Sequence, residues 1–288
     1  MKPLTCNGIN WEAALNLNHI KNGRPTGSPL QVQRPSCVLS VAGSDSSGGA
    51  GIQADLKAFR AHGVPGLTVI TGLTAQNSRG ITHIHPTPLD NLQAQMEALD
   101  ADFAIAAAKT GMLPTAEAIR AVAAFFRAGP AIRLVVDPVL IATSGASLRL
   151  EDTTQALLTE LIPLASVVTP NLDEAAVLAG RELVDSDEGA DILWAQFHVP
   201  FLLKGGHGSQ PIVRDVLITG EGKRVFEYPR LEGEFHGTGC ILSASIAAGL
   251  AKGLGLAEAV ERADAFLHEA MARAIVPGKS ELRYLLME

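Results

Sequence analysis

The chain has 288 residues, 47% hydrophobic and 18% charged, enough to bury a full core as one large domain or two small ones. A net charge of −7 with scattered basic residues excludes a global basic field for nucleic acid, so an anionic substrate must be met by a local positive site. There is no apolar window of about 18 residues for a membrane span and no signal-peptide pattern in residues 1–36, and Cys6, Cys37 and Cys240 show neither metal spacing nor a paired framework, usage that fits a reducing cytoplasm.

Residues 1–36 are rich in Asn and Pro and are expected to form an N-terminal extension, partly disordered or draped on the surface, with a short helix over 11–20 as one option. Residues 37–288 are expected to form a single domain. From Cys37 onward, short apolar runs over 37–42, 67–73, 105–108, 134–136 and 166–168 alternate with helix-period stretches over 50–62, 89–100, 115–127, 152–161 and 172–179. That alternation predicts an α/β fold, a mostly parallel sheet with helices on both faces. Runs over 201–203, 215–219 and 225–228 lie close in sequence and predict an antiparallel edge. Helices over 238–252 and 256–274 complete the chain.

In parallel α/β sheets, ligands sit beyond the C-terminal ends of the strands. The distinctive polar clusters fall there: residues 43–51, Ala75-Gln76-Asn77, residues 109–112, Asp137-Pro138, Thr169-Pro170-Asn171 and residues 204–207. In the first, Gly43, Gly48, Gly49 and Gly51 surround Ser44, Asp45, Ser46 and Ser47, and a helix bearing Gln53, Asp55 and Lys57 follows. Such a loop lets backbone approach a small ligand, with Asp55 able to bind a hydroxyl or ring amine. It equally suits a strand-to-helix turn needing positive φ. It is neither a Walker loop nor a dinucleotide fingerprint. The Gln76 amide offers a donor and an acceptor, which suits an aminopyrimidine edge, although a turn amide reads the same way.

Asp137 ends an apolar strand, where a carboxylate holds magnesium through water or forms a salt bridge. Asn171 and Glu174 have capping-box spacing, and Glu174 is also placed to act as a second acidic group through bound water. Lys204, before two glycines, can reach nucleotide phosphates or sit exposed in a turn. The segment His236-Gly237-Thr238-Gly239-Cys240 opens directly into a run of small and apolar residues. Its unpaired N–H groups and positive dipole end make a ready anion site. The same field favours thiolate at Cys240, although a lone cysteine is more often packing. His236 orients a phosphate or merely caps the loop.

Together these motifs make the chain resemble the ribokinase-like small-molecule kinases, and more narrowly the hydroxymethylpyrimidine/phosphomethylpyrimidine kinases of thiamine biosynthesis. The resemblance runs from about Cys37 to Ala270. It implies a three-layer αβα sandwich, ATP and Mg2+, a pyrimidine substrate and a homodimer, with no nucleic-acid or membrane partner. By position it implies that Asp55 and Gln76 bond the ring while Gly43, Ala50 and Met112 line it. Cys240, where many sugar kinases of this fold carry Asp, would be the general base. The backbone of Gly237, Thr238, Gly239 and Cys240 would neutralise the transferring phosphoryl group. Lys204, Asn171 and Thr238 would hold ATP, and Asp137 and Glu174 the metal through water. A pyridoxine/pyridoxal kinase of the same branch is the nearest rival, and a non-catalytic pyrimidine sensor is the rival from another class. Residues 275–288 lack the Gly- and His-rich tail of many such kinases.

Overall fold

A computed structural model describes residues 35–140, 151–206 and 210–287. Almost all of the expected extension, with its optional helix, lies outside the described residues, as does His207. The apolar runs become β1 (Cys37–Asp45), β2 (Gly66–Asn77), β4 (Ile105–Thr110), β5 (Arg133–Val136), β6 (Val167–Val168), β7 (Phe201–Leu203), β8 (Ile212–Thr219) and β9 (Gly222–Pro229), with β3 (Gly80–Pro86) added between β2 and β4. The helices are α1 (Gly51–Ala61), α2 (Leu89–Asp100), α3 (Ala116–Ala128), α4 (Glu151–Ala156), α5 (Leu172–Ala179), α6 (Ser186–Phe197), α7 (Thr238–Ala251) and α8 (Leu256–Ala272).

The strands form one nine-stranded sheet in the order β3-β2-β1-β4-β5-β6-β7-β8-β9. Its centre, β2-β1-β4-β5-β6-β7, is parallel. Each central strand is apolar on both faces, as a sheet covered on two sides requires. Val38, Ala107, Val135, Val167 and Leu202 pack against α1, α7 and α8. Leu39, Ala108, Val136, Val168 and Leu203 face the other way, onto α2, α3, α5 and α6. This is a three-layer αβα sandwich. Helix α7 is apolar or small all round, and Ile241 through Leu250 are buried without a break, so it is an interior helix rather than an amphipathic one.

Three local expectations change. Antiparallel pairing occurs at both edges, because β2 runs on to Asn77 and returns as β3, while β7, β8 and β9 form the expected antiparallel edge. The helix over 152–161 is α-helical only to Ala156; Leu157–Leu161 is a π-helix and Ile162–Leu164 a 3-10 turn containing Pro163. Helix α6 was not predicted, although its start is marked by Asp185, whose side chain accepts from the Glu188 N–H, the N-cap signature. Beyond the main sheet, β10 (Phe235–His236) pairs in parallel with β11 (Arg283–Tyr284).

One charged pair is sealed between sheet and helix. Lys109 of β4 and Asp55 of α1 are both fully buried, with Lys109 Nζ 3.0 and 3.1 Å from the two carboxylate oxygens. Ser40 of β1 donates a further hydrogen bond to Asp55. Asp55, expected on the substrate ring, is therefore committed to an internal ion pair. Burial alone would lower the Lys109 pKa, but the Asp55 charge holds it above the usual lysine value. Removing one partner leaves an uncompensated buried charge, so Lys109→Met should cost about 3–5 kcal/mol in urea unfolding. The double variant Asp55→Leu/Lys109→Met should regain much of that loss; equal destabilisation of single and double variants would contradict the pairing.

Candidate active site

The rim at the C-terminal strand ends encloses a cavity of about 650 Å3. At its centre, Gly237 takes φ +78° and N-caps α7 with no side-chain cap. The first intrahelical bond runs from Ile241 N–H to the Gly237 carbonyl at 2.9 Å, so the N–H groups of Thr238, Gly239 and Cys240 lie ahead of the helical ladder. A side chain at Gly237 would run into the Gly49 carbonyl, and one at Gly49 would strike His236 and Tyr284. The two glycine loops touch because both positions lack a Cβ.

Asp45, at the end of β1, organises the first loop. Its carboxylate accepts from the N–H groups of Ser47 (2.8 Å), Gly49 (3.1 Å) and Ala50 (2.8 Å) and from the Ser47 hydroxyl. His236 Nε2 lies 2.9 Å from the same group. Burial would raise this carboxyl, but the hydrogen bonds from His236, Ser47 and Ala50 outweigh it and hold the pKa well below the usual range. Gln53 and Lys57 of α1 brace the loop from behind, on the Asp45 N–H and the Gly48 carbonyl.

Near the centre, Gly239 faces Lys204 and Asp137. Lys204 Nζ is 3.2 Å from Asp137 Oδ1 and 3.8 Å from Glu174 Oε2. Thr169 also donates to Asp137 at 3.3 Å, and the Ser243 hydroxyl lies 3.3 Å from the same carboxylate and 2.9 Å from the Gly239 carbonyl. Asn171 and Glu174 form a reciprocal capping box, both bonds 2.8 Å. Burial first, and then the Asp137 charge, push the Glu174 carboxyl up to about 7 against the pull of Lys204. No cluster of three or more metal-ligating side chains occurs among the described residues. Asp137 and Glu174 nonetheless fit Mg2+, which takes one or two carboxylates and leaves its other positions to water and phosphate oxygens.

Gly43, Ala50, Gln76, Met112, Asp137, Asn171, Glu174, Lys204 and the loop Gly237–Cys240 all line this one cavity. Met112 packs its Cε against Gly43. Asp55 does not line it. Cys240 also departs from expectation in its acidity. Burial, with Asp55 and Asp137 adding to it, pushes the thiol up to about 11 despite the nearby Lys109 charge and the Gly51 N–H. Sequence reasoning missed the Asp45–His236 pair, the Ser243 and Thr169 supports, and Tyr284, whose hydroxyl lies 2.9 Å from Ser47 Oγ and whose ring meets His236 edge-on at 5.1 Å. It also missed Asp215 and Asp264, two buried carboxyls at the other end of the cavity, where Tyr228 faces Asp264.

A family model described as phosphomethylpyrimidine kinase matches residues 45–284. A hydroxymethylpyrimidine/phosphomethylpyrimidine kinase of Rhizobium meliloti (strain 1021) is 47% identical over 243 residues, 82% of this chain and 91% of its own length. Among solved structures, a Bacillus subtilis pyridoxal kinase in an ADP complex superposes with a TM-score of 0.80 at 33% identity, covering 88% of this chain and 97% of that one. A phosphomethylpyrimidine kinase from Clostridium difficile 630 superposes with a TM-score of 0.72 at 35% identity, covering 82% and 99%. No helix among the described residues is long and apolar enough to cross a membrane.

The buried carboxyls give the fold a definite pH response. Burial pushes Asp215 up to about 6 and Asp264 up to about 8, with Asp215 adding to the latter. With Glu174 at about 7, the folded chain binds more protons than the unfolded chain, whose carboxyls titrate near about 4. Folding then takes up protons, and stability falls as pH rises from about 4 to about 8. Asp45 acts in the opposite sense only on the acid side, below about 4, and burial lowers His62 and His268, which offsets part of the trend up to their ordinary value near about 6.5. Calorimetry of the ligand-free protein should show Tm falling from pH ~5 to pH ~8. Asp264→Asn should flatten the upper part of that slope, and a curve unchanged by the substitution would remove Asp264 from this account.

Proposed function

Because this chain belongs to the phosphomethylpyrimidine kinase family, we propose that it phosphorylates 4-amino-5-hydroxymethyl-2-methylpyrimidine from ATP, first on the hydroxymethyl oxygen and then on the resulting monophosphate, for thiamine biosynthesis. The observation that carries this reading is the single cavity joining Gln76, Met112 and Gly43 at one end to the open N–H groups of α7 at its centre. The pyrimidine ring lies against Gln76, Gly43, Ala50 and Met112. The hydroxymethyl oxygen is then directed to Cys240, and the phosphoryl group passes over the N–H groups of residues 238–240. Those donors are fixed before the reaction, which is where electrostatic catalysis of phosphoryl transfer gains most. Lys204, Asn171 and Thr238 hold the ATP phosphates.

Asp137 and Glu174 would hold Mg2+ through water, and the ion would supply neutralisation of the phosphate oxygens. Cys240 takes the proton from the alcohol. With the thiol pushed up to about 11 in the ligand-free site, the thiolate is scarce at neutral pH and the first step depends on its supply. The second step starts from a phosphate monoester, already an anion, and has less need of a base. The free thiols of Cys37 and Cys240 and the use of ATP support a cytoplasmic setting, and the resemblance supports a homodimer.

The overlay with a pyridoxal kinase favours a second reading, turnover of pyridoxal or pyridoxine in the same pocket. ATP-coupled assays run in parallel on both compounds, with mass identification of products, separate the two; pyridoxal turnover far above pyrimidine turnover would reverse the order. A pyrimidine sensor would bind without releasing ADP, and Asp137, Glu174, Lys204 and Cys240 lining one cavity argue for chemistry instead. For the base, Cys240→Ala should lower kcat of the first phosphorylation by at least ~100-fold while leaving pyrimidine affinity within a few-fold. In the unaltered enzyme, the ratio of first-step to second-step rate should rise with pH. Near-normal first-step turnover in Cys240→Ala would refute the assignment.

A further inference from the structure

The amide of Gln76 is held at both ends. The amide nitrogen stands 3.2 Å from His236 Nε2 and the amide oxygen 3.1 Å from Thr74 Oγ1, but the two amide atoms exchange places on a 180° turn, so the hydrogen-bond network decides which is which. His236 Nε2 also lies 2.9 Å from Asp45 Oδ2. That carboxylate accepts from three backbone N–H groups, a donor set that an ionised acid satisfies and a protonated one does not. Its remaining partner must therefore be an N–H, which places the imidazole hydrogen on Nε2. Nδ1 of the same ring is buried and has no partner among the described residues, so it carries the lone pair. A second N–H there would be an orphaned donor.

With its one hydrogen on Nε2, shared between Asp45 Oδ2 at 2.9 Å and the Gln76 amide at 3.2 Å, the amide atom facing it has to be the Gln76 oxygen. The Thr74 hydroxyl has one hydrogen and the Ser44 carbonyl 3.1 Å away to receive it, which leaves its lone pairs for the Gln76 NH2. The opposite orientation sets N–H against N–H at His236. Thr74 and His236 are both buried, so water does not compensate a wrong orientation.

We infer that Asp45, His236 and Thr74 lock the Gln76 amide in one orientation, making His236 and Thr74 positioning residues that decide which substituent the site accepts beside the ring nitrogen. This rests on the reading above that Gln76 meets the pyrimidine ring. A 4-aminopyrimidine offers a donor on its exocyclic nitrogen and an acceptor at N3, whereas its 4-oxo counterpart offers an acceptor and an N–H, the reverse order. A locked amide matches one order and sets like against like in the other. An amide free to turn by 180° matches both. The hydroxymethyl group, held at the phosphoryl-transfer loop, keeps the ring from turning over to compensate.

The test compares kcat/KM of the first phosphorylation for 4-amino-5-hydroxymethyl-2-methylpyrimidine and for its 4-oxo analogue. The unaltered enzyme should prefer the amino compound by roughly 10^4-fold, the range for sites whose polar groups would otherwise be mispaired. His236→Phe, which keeps a ring against Tyr284, and Thr74→Val, which keeps the side-chain shape, should each reduce that preference at least tenfold. The decisive part is a rise in kcat/KM for the 4-oxo compound, because a purely structural loss lowers both substrates together. If neither variant gains on the 4-oxo compound while Gln76→Ala erases the preference, the locking is overturned and the ring contact stands. If Gln76→Ala keeps the full preference, the ring contact itself fails, and the inference with it.

Discussion

The site depends on one carboxylate. Asp45 stands where β1 ends, and without it the N–H groups of Ser47, Gly49 and Ala50 would converge on nothing. A buried acid is costly when unpaired, and here burial is outweighed by the donors it collects, which keeps it ionised. Because one of those donors is His236, the same group ties the loop after β1 to the strand that leads into α7. The close approach of Gly49 to Gly237 then follows, since both loops are drawn onto one anion and neither has a Cβ to hold them apart. The two ends of the proposed site are thereby fixed relative to each other before any ligand arrives, the condition under which positioning contributes to rate.

Two lysines, one buried and one partly exposed, divide the electrostatic work. Lys109 is fully enclosed against Asp55, a closed pair whose two charges answer each other and leave nothing for a ligand. Lys204 faces Asp137 and Glu174 together, one positive charge against two negative groups, and the Glu174 carboxyl rises to about 7 largely because it is buried beside that excess. The ligand-free arrangement thus carries an excess of acidic groups, which suits the cation of the proposed reaction. The first pair belongs to stability and the second to the cavity, although both are a lysine at a strand end facing a helix acid.

The layers were legible because the central strands are apolar on both faces and the helices keep their period. The rim was legible because polar clusters follow each strand. Asp55 shows where that reading stops. It lies on the same side of α1 as Ala54, Ala58 and Phe59, so helical spacing alone placed it on the buried face, yet its partner stands on a strand 54 residues away. No local pattern reveals such a pairing. Asp45 and His236, 191 residues apart, were hidden for the same reason. The β3 return was missed because its residues are mostly exposed and alternate weakly, and the shift in Cys240 acidity because it is set by enclosure, which spacing does not report.

The last described residues bear on the site in a way that their sequence does not advertise. β11 pairs Arg283 with Phe235 and Tyr284 with His236, so this segment is stitched to the strand that leads into α7. Tyr284 adds its ring against His236 and its hydroxyl to Ser47. Ser280 reaches the carbonyl of Ser78 in the turn between β2 and β3, and Leu285 joins Ala54, Ile241 and Ala270 in a small apolar cluster. One short segment therefore contacts the first glycine loop, the hairpin that carries Gln76 and the approach to α7. These contacts use an aromatic ring, two hydroxyls and backbone pairing, none of which requires a Gly- and His-rich sequence.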